Sequence, residues 1–125
     1  MENVVTPETA RKLKEAGFRQ PSYSMCQIWY DPNGMKWIRM MPSYWTNPEN
    51  GFTVDNANFK LAAFAPTATD ILAELKGEYF LDFDAETEEF FALKSVGAAF
   101  KFSNKKGCEA LADAYFRMVE NDGIE

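Results

Sequence analysis

The sequence contains no histidine and only two cysteines, Cys26 and Cys108. Zinc sites of the usual kind draw on several Cys and His ligands, so they are excluded. Ser-His-Asp and Cys-His catalysis lack their base. A disulfide scaffold needs more cysteine, and no Cys-x-x-Cys pair exists. Both thiols are expected reduced, as small buried hydrophobes. No apolar run approaches the roughly 20 residues that cross a bilayer, so no membrane partner is expected. The start, MENVVTPETA, lacks the basic and apolar segments of a signal peptide, and the expected compartment is the cytoplasm. Basic residues are the minority, 13 against 19 acidic, for a net charge of −6. Phosphate binding leaves a basic footprint, so nucleic acid is not an expected partner. Internal repeats and low-complexity segments are absent as well, and no cofactor is expected.

What remains is a well-furnished globular chain. Its 125 residues suit one domain, residues 1–125. Folding at that size buries about two-thirds of the chain's surface. The 46% hydrophobic and 15% aromatic content supply a core.

Local signals divide the chain into elements. In TPETARKLKEAGFRQP, residues 6–21, Thr6 is a helix N-cap, Pro7 suits the first helical position and Glu8 faces the positive end of the dipole. Gly17 can take the left-handed conformation that stops the helix, with Phe18 packing back on Leu13. Its thin apolar stripe of Ala10, Leu13 and Ala16 predicts a helix laid against the side of a sheet. Residues 22–41 predict a β-hairpin turning at DPNG, where Pro32 and Gly34 set the backbone. Residues 42–58 carry Pro42, Asn47, Pro48, Asn50 and Gly51 and read as an exposed loop. FKLAAF, residues 59–64, predicts a strand.

The second half repeats the logic. Thr67 and Asp70 form a capping box ahead of a helix whose inner face is Ala68, Ile71, Leu72 and Leu75, ending at Gly77. EYFLDFDAETEEFFALK predicts a second hairpin with Tyr79, Leu81 and Phe83 on one face. AAFKF, residues 98–102, predicts a short strand. A last helix over 105–121 carries Cys108, Leu111, Ala112, Tyr115, Met118 and Val119 as its stripe. Hairpins imply antiparallel pairing, so the expected class is α+β, with a sheet built from two hairpins and about three helices packed on it.

Several of these elements share a pattern. Ala10, Leu13, Lys14, Glu15, Gly17, Phe18 and Pro21 spell A-x-x-L-K-E-x-G-F-x-x-P. Ala65, Pro66 and Thr67 give an A-P-T turn into the second helix, and EALADAYFRMVE closes the chain. In this order of elements the sequence resembles a group of small bacterial proteins of unknown function encoded in prophages and other mobile elements. The resemblance implies a phage or mobile-element setting in a bacterial host cell. It brings no activity and no catalytic residues, and it does not extend to the Tyr44–Trp45 segment or to FKLAAF.

Chemistry-bearing groups are few. The acidic run Asp82, Asp84, Glu86, Glu88 and Glu89 suggests a Ca2+ or Mg2+ site, but an EF-hand loop counted from Asp82 would need Gly at Thr87 and Glu at Leu93. A net charge of −6 is small for a mimic of DNA, and a solvated hairpin tip explains the run. Carboxylate pairing is inevitable among 19 acids, so glycosidase-like chemistry gains no support. Lys101, Lys105 and Lys106 make a basic spot at the last helix, best read as solvated lysines. The aromatic group is richer. Trp29 and Trp37 sit on opposite arms of the hairpin and suit the core of the sheet. Tyr44 and Trp45 fall in the expected loop, where aromatic side chains anchor binding. Trp37, Arg39, Tyr44 and Trp45 are therefore the candidate binding residues, for an unidentified protein or a small ligand such as a sugar or nucleobase. The expected function is that of a non-enzymatic binding module, with anti-defence activity as one form. The alternative is a small assembly protein acting as a homo-oligomer, and the third reading is a metal-dependent hydrolase built on residues 82–89.

Overall fold

Helix α1, Pro7–Glu15, ends as its sequence dictates. Thr6 Oγ1 accepts from Thr9 N–H at 3.3 Å, and Pro7 occupies the first turn. At the other end Gly17 takes φ +95°. Phe18 N–H then donates to the Leu13 carbonyl (2.9 Å), and Gly17 N–H to that of Lys14 (3.1 Å). This bond pair closes the helix, and both Leu13 and Phe18 are buried.

The computed structural model describes residues 4–55, 59–94 and 101–122. These hold three helices and two antiparallel sheets, an α+β fold. The chain divides into two compact units, Thr6–Ala65 and Met1–Val5 with Pro66–Glu125. Each of the two hairpins heads its own sheet. The first already has both edges paired within its own unit, so it does not continue into the second.

In the first unit, β1 (Gln27–Tyr30) and β2 (Lys36–Met41) form the expected hairpin. Its turn is held by Asp31, whose carbonyl accepts from Gly34 N–H and whose Oδ1 accepts from Asn33 and Met35 N–H, each at 2.9 Å. The loop expected over 42–58 is corrected. It contains β3 (Tyr44–Thr46) and β4 (Thr53–Asp55), paired as a second hairpin. The asparagines are its turn chemistry: Asn47 Oδ1 accepts from Glu49 N–H and Asn50 Oδ1 from Phe52 N–H, both at 2.9 Å. Residues 56–58 of the expected loop lie outside the described residues. The strand expected over 59–64 shrinks to β5 (Ala63–Phe64), which pairs with β1. Strand order is β4-β3-β2-β1-β5, and α1 packs against β5. Cys26 was expected in the core and is instead exposed, at φ +65° just ahead of β1.

In the second unit, Thr67 Oγ1 caps α2 (Ala68–Leu75) by accepting from Asp70 N–H at 3.2 Å, and the Asp70 carboxylate accepts from Thr67 N–H at 3.0 Å. The left-handed turn that ends α2 begins at Lys76, φ +52°, one residue before Gly77. Strands β6 (Tyr79–Asp84), β7 (Glu89–Lys94) and β8 (Lys101–Asn104) form the second sheet. Residues 98–100 of the strand expected over 98–102 lie outside the described residues. Register puts Leu81, Ala92 and Phe102 on one face. Helix α3 (Gly107–Asp122) lies on that face. It begins so close that a Cβ on Gly107 would meet Leu81 Cδ2 at 2.9 Å. Cys108, Leu111, Ala112 and Tyr115 of its stripe are buried, as are Ile71 and Leu75 of α2. Each large aliphatic side chain buried there contributes about 1.5–3 kcal/mol.

Candidate binding site

Side chains alternate across a strand, so directly paired residues share a face. Trp29 pairs with Trp37 and with Phe64, and Arg39 pairs with Trp45. All five therefore lie on one face of the five-stranded sheet, where the rings interlock. Tyr23 meets Trp29 edge-on at 5.1 Å between centroids and Trp45 at 5.2 Å. Trp29 and Trp45 stand 6.4 Å apart, and Trp37 meets Phe59 at 4.7 Å. Offset and edge-on pairs of this kind add about 0.5–1.5 kcal/mol each beyond burial.

The structure separates the four candidate residues. Trp37 is buried and donates its indole N–H to Asp31 Oδ2 at 3.2 Å. Trp45 has no exposed surface at all. This corrects its expected placement in an exposed loop: as the middle residue of β3 it points into the aromatic face. Arg39 lies with Trp45, its guanidinium carbon 5.4 Å from that ring and 5.5 Å from Tyr23. Its Nη2 donates to the Pro42 carbonyl, while Nη1 is buried without an acceptor. Arg39 thus clamps the β2–β3 turn. Tyr44 alone of the four presents a broad outer surface.

Tyr44 has neighbours of its own kind. It pairs with Met41, and Met40 precedes Met41 on β2. Cys26 N–H donates to the Arg39 carbonyl, which continues the β1–β2 pairing and brings Met25 to the end of β2. Met25, Met40, Met41 and Tyr44 are each between 43% and 59% exposed. The sequence reading passed over Met25. Its signal was the lack of charge around it: residues 20–26 and 40–48 contain no Asp, Glu, Lys or Arg, in a chain that is 26% charged.

Other candidates hold less. A hollow of about 470 Å3 beside Tyr23 and Trp29 is lined also by Lys14 and Gln20. Lys14 Nζ is spent on the Ala62 carbonyl (2.7 Å), and Gln20 on Phe64 N–H (2.9 Å) and the Phe18 carbonyl (3.1 Å). Lys106 Nζ, in the expected basic spot, donates to the Val4 carbonyl at 2.7 Å. Among the described residues, no three Cys, Asp or Glu side chains gather in a metal-holding arrangement. Burial raises the pKa of Tyr79, Cys108 and Tyr115 above their ordinary values. Nearby Glu78 and Glu74 push the two tyrosines the same way, while Lys106 partly offsets the effect at Cys108. All three are core groups of the second unit. No helix among the described residues is long and apolar enough to cross a membrane. The chain matches no protein-family model, no curated protein and no solved structure.

Proposed function

We propose that this protein is a non-enzymatic binding module that docks an apolar segment of a partner protein on Met25, Met40, Met41 and Tyr44. The observation that carries the reading is the exposure of these four side chains together at one end of the five-stranded sheet. The interlocked tryptophans lie on the opposite face from Tyr44 and stiffen the strands that carry it. Methionine is unbranched and polarisable, so such a surface moulds itself to an apolar partner. The uncharged segments around it favour a protein over a phosphate or another charged ligand. The A-x-x-L-K-E-x-G-F-x-x-P element supports a phage or mobile-element origin and action in the cytoplasm of a bacterial host. Blocking a host defence protein is the form that this setting suggests.

Native mass spectrometry of gently purified protein tests the reading. The expected result is an additional protein mass that M40E/M41E removes and that rebinds as a purified component. A partner retained by M40E/M41E overturns the proposal. A homo-oligomer that the same double variant dissolves overturns it too, and assigns the patch to self-association.

A further inference from the structure

The three-stranded sheet has a second, open face. Helix α3 covers the face of Leu81 and Ala92, so register places Phe80, Asp82 and Asp84 of β6 on the other, with Glu89, Phe91 and Leu93 of β7. Phe80 is 45% exposed there, and Phe91 and Leu93 are half-buried. A hollow of about 360 Å3 lies among Asp82, Phe83, Asp84, Ala85, Phe91 and Leu93. Its floor is apolar and its rim is anionic.

Strand β6 is also an edge. It has β7 as its one strand neighbour, and among the described residues nothing pairs its outer side. A free edge offers backbone donors and acceptors to an added strand. The charges decide which strand it accepts. Asp82 Oδ1 holds Phe83 N–H (2.8 Å) and Asp84 Oδ1 holds Glu86 N–H (2.9 Å), which leaves one oxygen of each carboxylate for an incoming donor. A second copy pairing antiparallel through β6 would add its own acidic hairpin, Asp82 to Glu89, to an edge that already carries one. Like charges placed opposite one another across strands disfavour that pairing. Lysine and arginine at alternate positions meet the opposite condition. Their heads reach Asp82 and Asp84 while an aliphatic stem beside them lies on Phe80, which shares that face of β6.

We infer that the β6 edge and this open face dock an extended basic segment of a partner protein, added as a fourth strand beside β6. The site lies on the other sheet from the methionine surface and does not depend on it.

The probe is a fluorescent, acetylated Lys-Val-Lys-Val-Lys-Val amide, with the Glu-Val and Ser-Val hexapeptides as controls. Binding is read by anisotropy, and its place by amide shifts in NMR spectra. The expected result is saturable binding of the Lys peptide alone, with shifts centred on residues 79–84 and 89–94. D82N/D84N should weaken it at least about tenfold, as should raising salt from about 20 to about 500 mM. Asp82 is exposed and Asp84 half-buried, and the Asn side-chain oxygens can still accept from Phe83 and Glu86 N–H, so the variant should keep the wild-type melting temperature; E88Q/E89Q, at the hairpin tip, gives a second reading of the same charge dependence. Shifts scattered over the surface, equal affinity in D82N/D84N, equal binding of the Ser-Val peptide, or no binding at low salt each overturn the inference. So does a dimer formed through β6 in sedimentation equilibrium.

Discussion

The Trp37 indole N–H donates to Asp31 Oδ2 at 3.2 Å, tying the turn of the first hairpin to the aromatic face it serves. The other carboxylate oxygen holds Asn33 and Met35 N–H. One nearly buried side chain thus satisfies three donors. Asp31→Ala leaves the indole N–H buried without a partner and frees both turn amides. It should cost about 2–4 kcal/mol. Asp31→Asn keeps an acceptor for the amides but turns an amide N–H toward the indole, and should fall between Ala and wild type. Urea unfolding followed by tryptophan fluorescence reads this directly, because all three tryptophans lie in the Thr6–Ala65 unit. A loss within about 0.5 kcal/mol, the range of ordinary surface changes, would show that Asp31 does not pin the turn.

That bond was not legible in the sequence, although its two ends were. Caps and turns are local, so Thr6, Gly17, the Thr67–Asp70 box and DPNG announced themselves by residue type and spacing. Strands β3 and β4 have three residues each, too few to display an alternating period. Their asparagines therefore read as loop, although Asn47 is buried in the turn between them. The candidate site failed in the same place. Tyr44 and Trp45 are chain neighbours, and a strand sends neighbours to opposite faces. A loop reading treats them alike, whereas the strand exposes one and buries the other. Cys26 carried no signal for its exposed, positive-φ position, which depends on how the chain enters β1.

Tyr44→Ala and Trp45→Ala should accordingly behave as opposites. Trp45 is wholly buried and touches Tyr23, Trp29, Phe59 and Arg39. Its truncation should cost about 3–5 kcal/mol. Tyr44→Ala should stay within about 0.5 kcal/mol of wild type while weakening any partner that the methionine surface holds. Thermal denaturation of the two variants distinguishes them. Equal, small losses would contradict the burial of Trp45.

The two thiols should separate as cleanly under alkylation. Cys26 is exposed, and Cys108 is buried in the α3 stripe with its pKa raised by burial. The thiolate is the reactive form, so Cys108 is shielded by both access and protonation. Iodoacetamide followed by peptide mass spectrometry should show Cys26 modified at least about 100-fold faster, with Cys108 reacting only as the unit opens. Comparable rates would mean that α3 does not seal its inner face.

Alkaline pH should unfold the second unit early, and the sign follows from the same burial. Cys108 sits above its ordinary 9.0, and Tyr79 and Tyr115 above their ordinary 10.0. Below those values both native and unfolded chains keep the three protons, and the groups add no pH dependence. As pH rises past them the unfolded chain releases protons first, so the native state binds more. Stability changes with pH in proportion to protons bound unfolded minus protons bound native, a negative difference here, so it must fall. Denaturant unfolding followed by far-UV circular dichroism should therefore hold level up to about pH 8 and decline toward about pH 10.5. Y79F and Y115F remove two of the titrating groups at nearly constant volume, and the pair should flatten the decline. A level profile in the wild type, or an unchanged slope in the double variant, would show that these hydroxyls are not held in a dry core.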